Sequence, residues 1–214
     1  MKISQFKKIK KYKFQEGDNN STEKRELVDI ARYIGHGLNL EFGVFNGFSI
    51  SALANARPDL HFHGFDSFEG LPENWDLGQK YVKKEKFDCQ GNLPKVPSNV
   101  TLYKGWFDKT LPLFINECGA NISFLHIDSD LYSSAIYVLD QLNHFINPGT
   151  IIRFDELCCW RSVFNESSNA KRVFYTTWEQ HEWKALNEWM GKYGRKVVPI
   201  SRNWFQGATV VVTE

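Results

Sequence analysis

No run of apolar residues in the chain approaches the roughly 20 that a membrane-spanning helix needs. The first residues likewise lack the apolar stretch of a secretory signal peptide. Cysteine is scarce, and Cys89, Cys118, Cys158 and Cys159 form no Cys-x-x-Cys pair and no Cys/His spacing of a zinc site. A disulfide framework and a structural zinc are thereby excluded, and the four cysteines read as reduced thiols of a cytoplasmic protein. Internal repeats and low-complexity linkers are also missing. Nor does charge of one sign dominate. The formal net charge is +1, yet Lys2, Lys7, Lys8, Lys10, Lys11 and Lys13 place +6 in the first 13 residues, which leaves −5 for the other 201. A mildly acidic body speaks against nucleic acid as a partner.

What is present is a full apolar complement. Hydrophobic residues make up 42% of the 214 and aromatics 15%, enough to bury a core and to exclude a wholly disordered chain. The reading is one domain over 20–214, preceded by a basic, flexible arm over 1–19. Asn20 followed by Glu23 resembles a capping box, and Leu27, Ile30, Ala31 and Ile34 recur at helical spacing. Strand and helix signals then alternate. Strands are predicted over 38–45, 60–66, 100–103, 122–128 and 150–154. Helices are predicted over 48–56, 111–118, 132–146 and 178–192. That order implies a mostly parallel sheet with helices on both faces. Residues 196–201 and 208–213 are too close for a crossover and must form a hairpin, so the last strand runs antiparallel. The long polar stretch 69–98 is expected to hold little regular structure and reads as a lid, with Trp75, Lys80, Tyr81, Lys83 and Lys84 as its candidate contacts.

Two motifs carry chemistry. The first is Glu41-Phe42-Gly43-Val44-Phe-Asn-Gly47, which leaves the first predicted strand and opens a helix. Gly43 lets the backbone turn tightly, and Gly47 lets a ligand lie against the main chain. An ordinary strand-to-helix turn uses glycine as well. Asp66, at the end of the second strand, favours a nucleoside site, because an acid there accepts from a ribose diol. The spacing is not that of a dinucleotide fingerprint, and Glu41 would repel a pyrophosphate. A cationic, phosphate-free nucleoside such as S-adenosylmethionine suits it better.

The second motif is a set of carboxylates at two strand ends, Asp128-Ser-Asp130 and Asp155-Glu156. Adjacent C-terminal strand ends converge on one crevice, where like charges need a cation between them. Oxygen donors of this kind select a hard ion, most simply Mg²⁺, held by Asp128, Asp155 and Glu156. Asp130 reads as a helix cap. His61, His63 and His126 lie within strands and read as buried, hydrogen-bonded groups. Trp160, Arg161 and Phe164 read equally as acceptor wall or core, and Trp178, Trp183 and Trp189 as core or subunit contact.

In chain order, Glu41-Phe-Gly-Val, Gly64-Phe-Asp66-Ser67-Phe68-Glu-Gly-Leu-Pro, Gly105-Trp106-Phe107, His126-Ile-Asp128-Ser-Asp130-Leu-Tyr and Pro148-Gly-x-Ile-x-x-Phe-Asp155 resemble the macrocin O-methyltransferase (TylF-like) family of class I S-adenosylmethionine-dependent methyltransferases. The resemblance implies a Rossmann-like, seven-stranded sheet. It implies that Glu41, Phe42, Gly43, Val44, Gly47 and Ser49 hold the methionine end of S-adenosylmethionine, or of the product S-adenosylhomocysteine. Asp66, Ser67 and Phe68 would hold the ribose side, Gly105, Trp106 and Phe107 the adenine, with Asp128 also at the cofactor. It implies Mg²⁺ at Asp128, Asp155 and Glu156, with Asp128 and Asp155 catalytic. The family's second aspartate is glutamate here, which keeps the charge and alters the reach. The acceptor would be a hydroxyl of a small molecule such as a sugar, with no membrane partner and an oligomer left open. The competing readings are a nicotinamide-dependent dehydrogenase and a catalytically silent nucleoside-binding scaffold.

Overall fold

A computed structural model describes residues 1–13, 21–117, 119–164 and 175–214. Strands are β1 (Lys10–Tyr12), β2 (Leu38–Phe42), β3 (Phe62–Asp66), β4 (Trp75–Asp76), β5 (Tyr81–Val82), β6 (Val100–Lys104), β7 (Ile122–Ile127), β8 (Ile151–Phe154), β9 (Val197–Asn203) and β10 (Ala208–Val212). Helices are α1 (Ser21–Ala31), α2 (Phe48–Ala56), α3 (Phe107–Glu117), α4 (Tyr132–Leu142), α5 (Trp160–Val163) and α6 (Glu182–Tyr193). Asn20 and Cys118, expected as a helix cap and a helix end, lie outside the described residues.

The main sheet has eight strands in the order β1-β9-β10-β8-β7-β2-β3-β6. Strands β8, β7, β2, β3 and β6 are mutually parallel, and β10 is antiparallel to both β8 and β9. The expected Rossmann-like α/β fold and its terminal hairpin are therefore what the chain forms. Two buried clusters cover the two faces. Leu27, Ile30, Ile50 and Leu53 from α1 and α2 line one, and Leu111, Val138, Leu139 and Trp189 from α3, α4 and α6 line the other. Among the described residues, no helix is long and apolar enough to cross a membrane.

Aromatic residues fix the register of the central strands. Phe42 stands opposite Phe65, and Phe65 opposite Tyr103. Their rings stack at 4.7 and 4.6 Å. Burying each Phe is worth about 1.5–3 kcal/mol, and a one-residue slip would turn this row to the other face.

Two expectations are corrected. The first residues are not a solvated arm. A 3-10 turn over Ile3–Lys7 buries Phe6 completely against Trp160, ring to ring at 4.8 Å, and β1 then adds in parallel to β9 as an eighth strand. The lysines alternate with Phe6, Ile9 and Tyr12, so one side of the segment is apolar enough to dock while the other stays wet. The stretch 69–98 is also not without regular structure, since β4 and β5 pair in it as a small antiparallel hairpin.

Candidate active site

The loops leaving β2, β3, β7 and β8 open at the C-terminal edge of the sheet around a cavity of about 1000 Å³. Its walls come from the β2 turn, the start of α2, the Asp66-Ser67 corner, Trp106 and Phe107, and the carboxylates after β7 and β8. The β4–β5 hairpin closes one side with Trp75 and Leu77. That hairpin is tied down: Thr177 Oγ1 donates to the Asp76 carbonyl at 2.6 Å, and the Thr176 amide to the Leu77 carbonyl at 3.1 Å.

On one shoulder, the β2–β3 side, the protein satisfies its own polar groups. Gly43 has φ +94°, and a Cβ there would lie 1.7 Å from the Asp128 carbonyl oxygen, so only glycine fits. Asp66 Oδ2 accepts from the amides of Val44 and Phe45 at 2.7 and 2.8 Å, and Oδ1 from the Phe68 amide at 2.7 Å. Of the four acceptor positions a carboxylate offers, one remains for a ligand. Ser67 Oγ donates to the Gly70 carbonyl at 2.9 Å.

Several expected cofactor residues lie behind this wall rather than in it. Glu41 does not line the cavity. It is buried, accepting from Ser49 Oγ at 2.8 Å and from His126 Nδ1 at 2.9 Å. As an even-numbered step would on a strand, its side chain turns into the layer beneath the turn. Phe42 and Phe68 are fully buried core residues. Gly47 packs against Pro94 and Val96, and Gly105 against Thr110. Gly43, Val44, Ser49, Asp66, Ser67, Trp106, Phe107 and Asp128 do line the cavity.

The β7–β8 shoulder rests on a buried polar row that crosses the sheet in register, Glu41 opposite His126 and His126 opposite Arg153. Arg153 Nη1 lies 2.6 Å from His126 Nε2 and 2.5 Å from Asp155 Oδ1, while Nη2 reaches Glu26 at 3.4 Å. A guanidinium only donates, so His126 accepts at Nε2 and donates from Nδ1 to Glu41. Burial would raise the Asp155 carboxyl, but the Arg153 charge overrides it and holds the group below the usual carboxylate range.

Above that row, carboxylates outnumber cations. Seven of them line the cavity: Glu23, Asp66, Asp108, Asp128, Asp130, Asp155 and Glu156. Among the described residues the one lining cation is Lys109, 2.8 Å from Asp108. Burial and then the Asp155 charge push Asp128 and Glu156 well up, Asp130 up to about 7 and Glu23 up to about 8. The expected cap role of Asp130 is corrected: Leu131 is the cap position of α4 and has no side-chain cap, while Asp130 faces the cavity at φ +61°.

The remaining expectations divide. Oxygens of Asp128 and Asp155 lie within 4.8 Å of each other and of a His126 ring nitrogen, but Glu156 is outside that group. Both His126 nitrogens are already engaged, so it is no free ligand. Lys80, Tyr81, Lys83 and Lys84 lie away from the cavity, and Trp160 is core, with Nε1 donating to the Gly207 carbonyl. Trp178 and Trp189 are buried in the core.

The chain matches the family described as methyltransferase domain over residues 40–157, more than half its length. It belongs to the methyltransferase domain family. No curated protein matches it in sequence. Solved structures share the methyltransferase's fold at low identity. CalS11, described as a TDP-rhamnose 3'-O-methyltransferase of calicheamicin biosynthesis, superposes with a TM-score of 0.59 at 21% identity over 89% of this chain and 78% of its own. The O-methyltransferase NovP gives 0.54 at 20% over 90% and 78%. An O-methyltransferase from Bacillus cereus in complex with S-adenosylhomocysteine gives 0.54 at 16% over 94% and 84%.

Several contributors to the methyltransferase's cavity escaped the sequence reading. Glu23 comes from α1, Tyr175 from beyond the fifth parallel strand, and Phe205 with Gln206 from the terminal hairpin. Glu23 was legible only as a helix-start residue, and Tyr175 and Phe205 belong to no motif.

Proposed function

We propose that the methyltransferase moves a methyl group from S-adenosylmethionine to a hydroxyl of a small acceptor such as a sugar, in the manner the resemblance to macrocin O-methyltransferases implies. The observation that carries this reading is the excess of carboxylates beside a glycine turn at the C-terminal strand edge, an environment that suits a sulfonium and an ammonium and repels a pyrophosphate. When bound, S-adenosylmethionine supplies an electrophilic methyl: a C–O bond forms, the C–S bond breaks, and its electron pair stays on sulfur as a neutral thioether. Asp66 offers its remaining acceptor position to the ribose, and Trp106 and Phe107 offer ring faces to the adenine. Ser49 lies at the methionine end, its hydroxyl held by Glu41.

The donor set also fits Mg²⁺. Asp128 and Asp155 present hard oxygens close together, and Glu156 Oε2 is buried without a partner. These three residues would hold the ion, which would lower the pKa of an acceptor hydroxyl. Arg153 keeps the Asp155 carboxylate ionised and in place, so that Asp155 or Asp128 takes the hydroxyl proton. Alignment of oxygen and methyl by these walls can supply up to about 7–11 kcal/mol. The three described cysteines are free thiols, in keeping with a cytoplasmic enzyme.

Calorimetric titration tests the reading. S-adenosylhomocysteine should bind at micromolar concentration and NADH should not, and products 14 Da heavier should appear when cell extract and S-adenosylmethionine are supplied. Binding of NADH alone would favour a dehydrogenase. Undiminished turnover in EDTA would remove the ion from the reaction.

A further inference from the structure

Strand order fixes how the cofactor would lie. Strands β6, β3, β2, β7 and β8 stand side by side in that sequence. Asp66 ends β3 and Trp106 follows β6, so the nucleoside half belongs at that end of the crevice. The amino-acid half then runs past the β2 turn towards β7 and β8, beside Ser49 at the start of α2. It brings an ammonium group, and the acid expected there from the sequence is not available to it. Glu41 lies behind the wall, with its two oxygens taken by Ser49 and His126.

Glu23 stands at that place instead, brought there by α1. Helices α1 and α2 pack together on one face of the sheet. Glu26, one turn along α1, is bound by Arg153 and Ser201, which turns this side of the helix towards the strand ends. The charges that reach Glu23 are those of Asp155, Arg153, Glu26 and Glu41, which sets it above the ends of β8 and β2. It lines the cavity, yet among the described residues no hydrogen bond or ion pair reaches its carboxylate. The Arg153 guanidinium is turned to His126, Asp155 and Glu26. A partly buried acid without a partner is costly, and a ligand's cation removes that cost. The other lining acids are engaged or distant. Asp66 is closed by three amides, Asp108 by Lys109, and Asp128, Asp155 and Glu156 form the proposed ion site. Asp130 lies towards Glu182 of α6, on the opposite face.

We infer that Glu23 is the counter-ion of the cofactor's amino group, in the place where the resemblance puts Glu41, and that it selects a nucleoside bearing an amino acid over one without the amine. This rests on the proposed methyl transfer and names the group that recognises its donor. Glu41 keeps a positioning part, holding Ser49 and His126 beneath the turn. Glu23 is not among the three residues that would hold Mg²⁺, so the assignment stands with the ion bound or absent.

Calorimetry on the full chain at pH 7, in Mg²⁺ and in EDTA, tests this with three probes. They are S-adenosylhomocysteine, its deaminated analogue with a carboxypropyl chain on sulfur, and 5'-methylthioadenosine. The unaltered protein should bind S-adenosylhomocysteine at least about tenfold more tightly than the deaminated analogue in both buffers, because a charge-assisted hydrogen bond is lost with the amine. In Glu23→Gln that preference should fall to within about twofold of unity, while 5'-methylthioadenosine binds as before. Glu23→Asp keeps the charge on a shorter arm and should retain a preference of at least about threefold. Equal binding of the first two probes by the unaltered protein overturns the inference. So does a preference that survives Glu23→Gln, or one that appears only with Mg²⁺. Loss of all three probes in Glu23→Gln would mark a residue of the fold rather than of the site, and overturns it too. If neither S-adenosylhomocysteine nor 5'-methylthioadenosine binds the unaltered protein, the methyltransfer reading itself falls.

Discussion

The two shoulders of the cavity are built on opposite principles. On the β2–β3 side the acids are held by partners within the protein: three amides close on Asp66, and Ser49 and His126 close on Glu41. On the β7–β8 side Asp128, Asp130 and Glu156 are crowded together with one guanidinium beneath them. A satisfied shoulder is rigid and shapes a pocket; a shoulder with surplus charge is held ready for a ligand that brings the opposite sign. Strain of this kind is tolerated where function requires it and the rest of the fold is stable enough to carry it.

That contrast predicts opposite responses to mutation. The largest effect belongs to the satisfied side. Gly43→Ala would drive a Cβ to 1.7 Å from the Asp128 carbonyl at a positive φ. Backbone strain and overpacking together should cost at least about 3 kcal/mol. A urea midpoint that drops with an unchanged slope would show it, whereas a loss under about 1 kcal/mol would break the picture of a rigid turn. On the charged side the sign reverses. Asp128→Asn removes one of several repelling carboxylates from the ligand-free protein, so stability should rise by about 1 kcal/mol, a gain of about 2–4 °C in Tm. Methyl transfer should fall about 100-fold in the same variant, since placement and charge at the reacting oxygen are both disturbed. A variant both less stable and fully active would erase the distinction between the shoulders.

The smallest effect lies outside both. His63, at the far side of β3, is held neutral by burial and then by the charge of His61, with its pKa lowered to about 4 from 6.5. Its partner across the strands is the Tyr103 hydroxyl at 3.1 Å, and Phe114 packs on its ring. Because protonation is resisted only in the folded state, stability is unaffected above pH 6.5 and declines as pH falls from 6.5 towards 4. His63→Gln should flatten that acid limb of a Tm-against-pH curve and leave the curve at pH 8 nearly unmoved. An unchanged limb would show that His63 does not set the acid sensitivity, and the crowded carboxylates, whose raised pKa values favour the folded state as pH falls, would not account for it either.

Much of this molecule was legible in the chain itself. Alternating strand and helix periods, the close-spaced final strands and the glycine turn are local signals, and the parallel sheet with its antiparallel last strand follows from them. The carboxylates after β7 and β8 were readable for the same reason, since parallel strands that end together bring their C-terminal residues together. Glu41 shows where that reasoning stops. Its type and position matched a cofactor ligand, but which side of the sheet a strand residue faces depends on register against its neighbours. That register buries Glu41 against His126.

The amino-acid sequence by itself determined the order of elements and the cluster of acids at one sheet edge, because backbone periodicity and strand direction are local properties. Only the tertiary structure decided that residues 1–12 close the opposite edge, that Arg153 reaches His126 and Glu26, and that Trp75 meets Tyr175. Those pairings join segments up to about two hundred residues apart. Nothing short of the packed sheet and its covering helices brings such groups within contact distance.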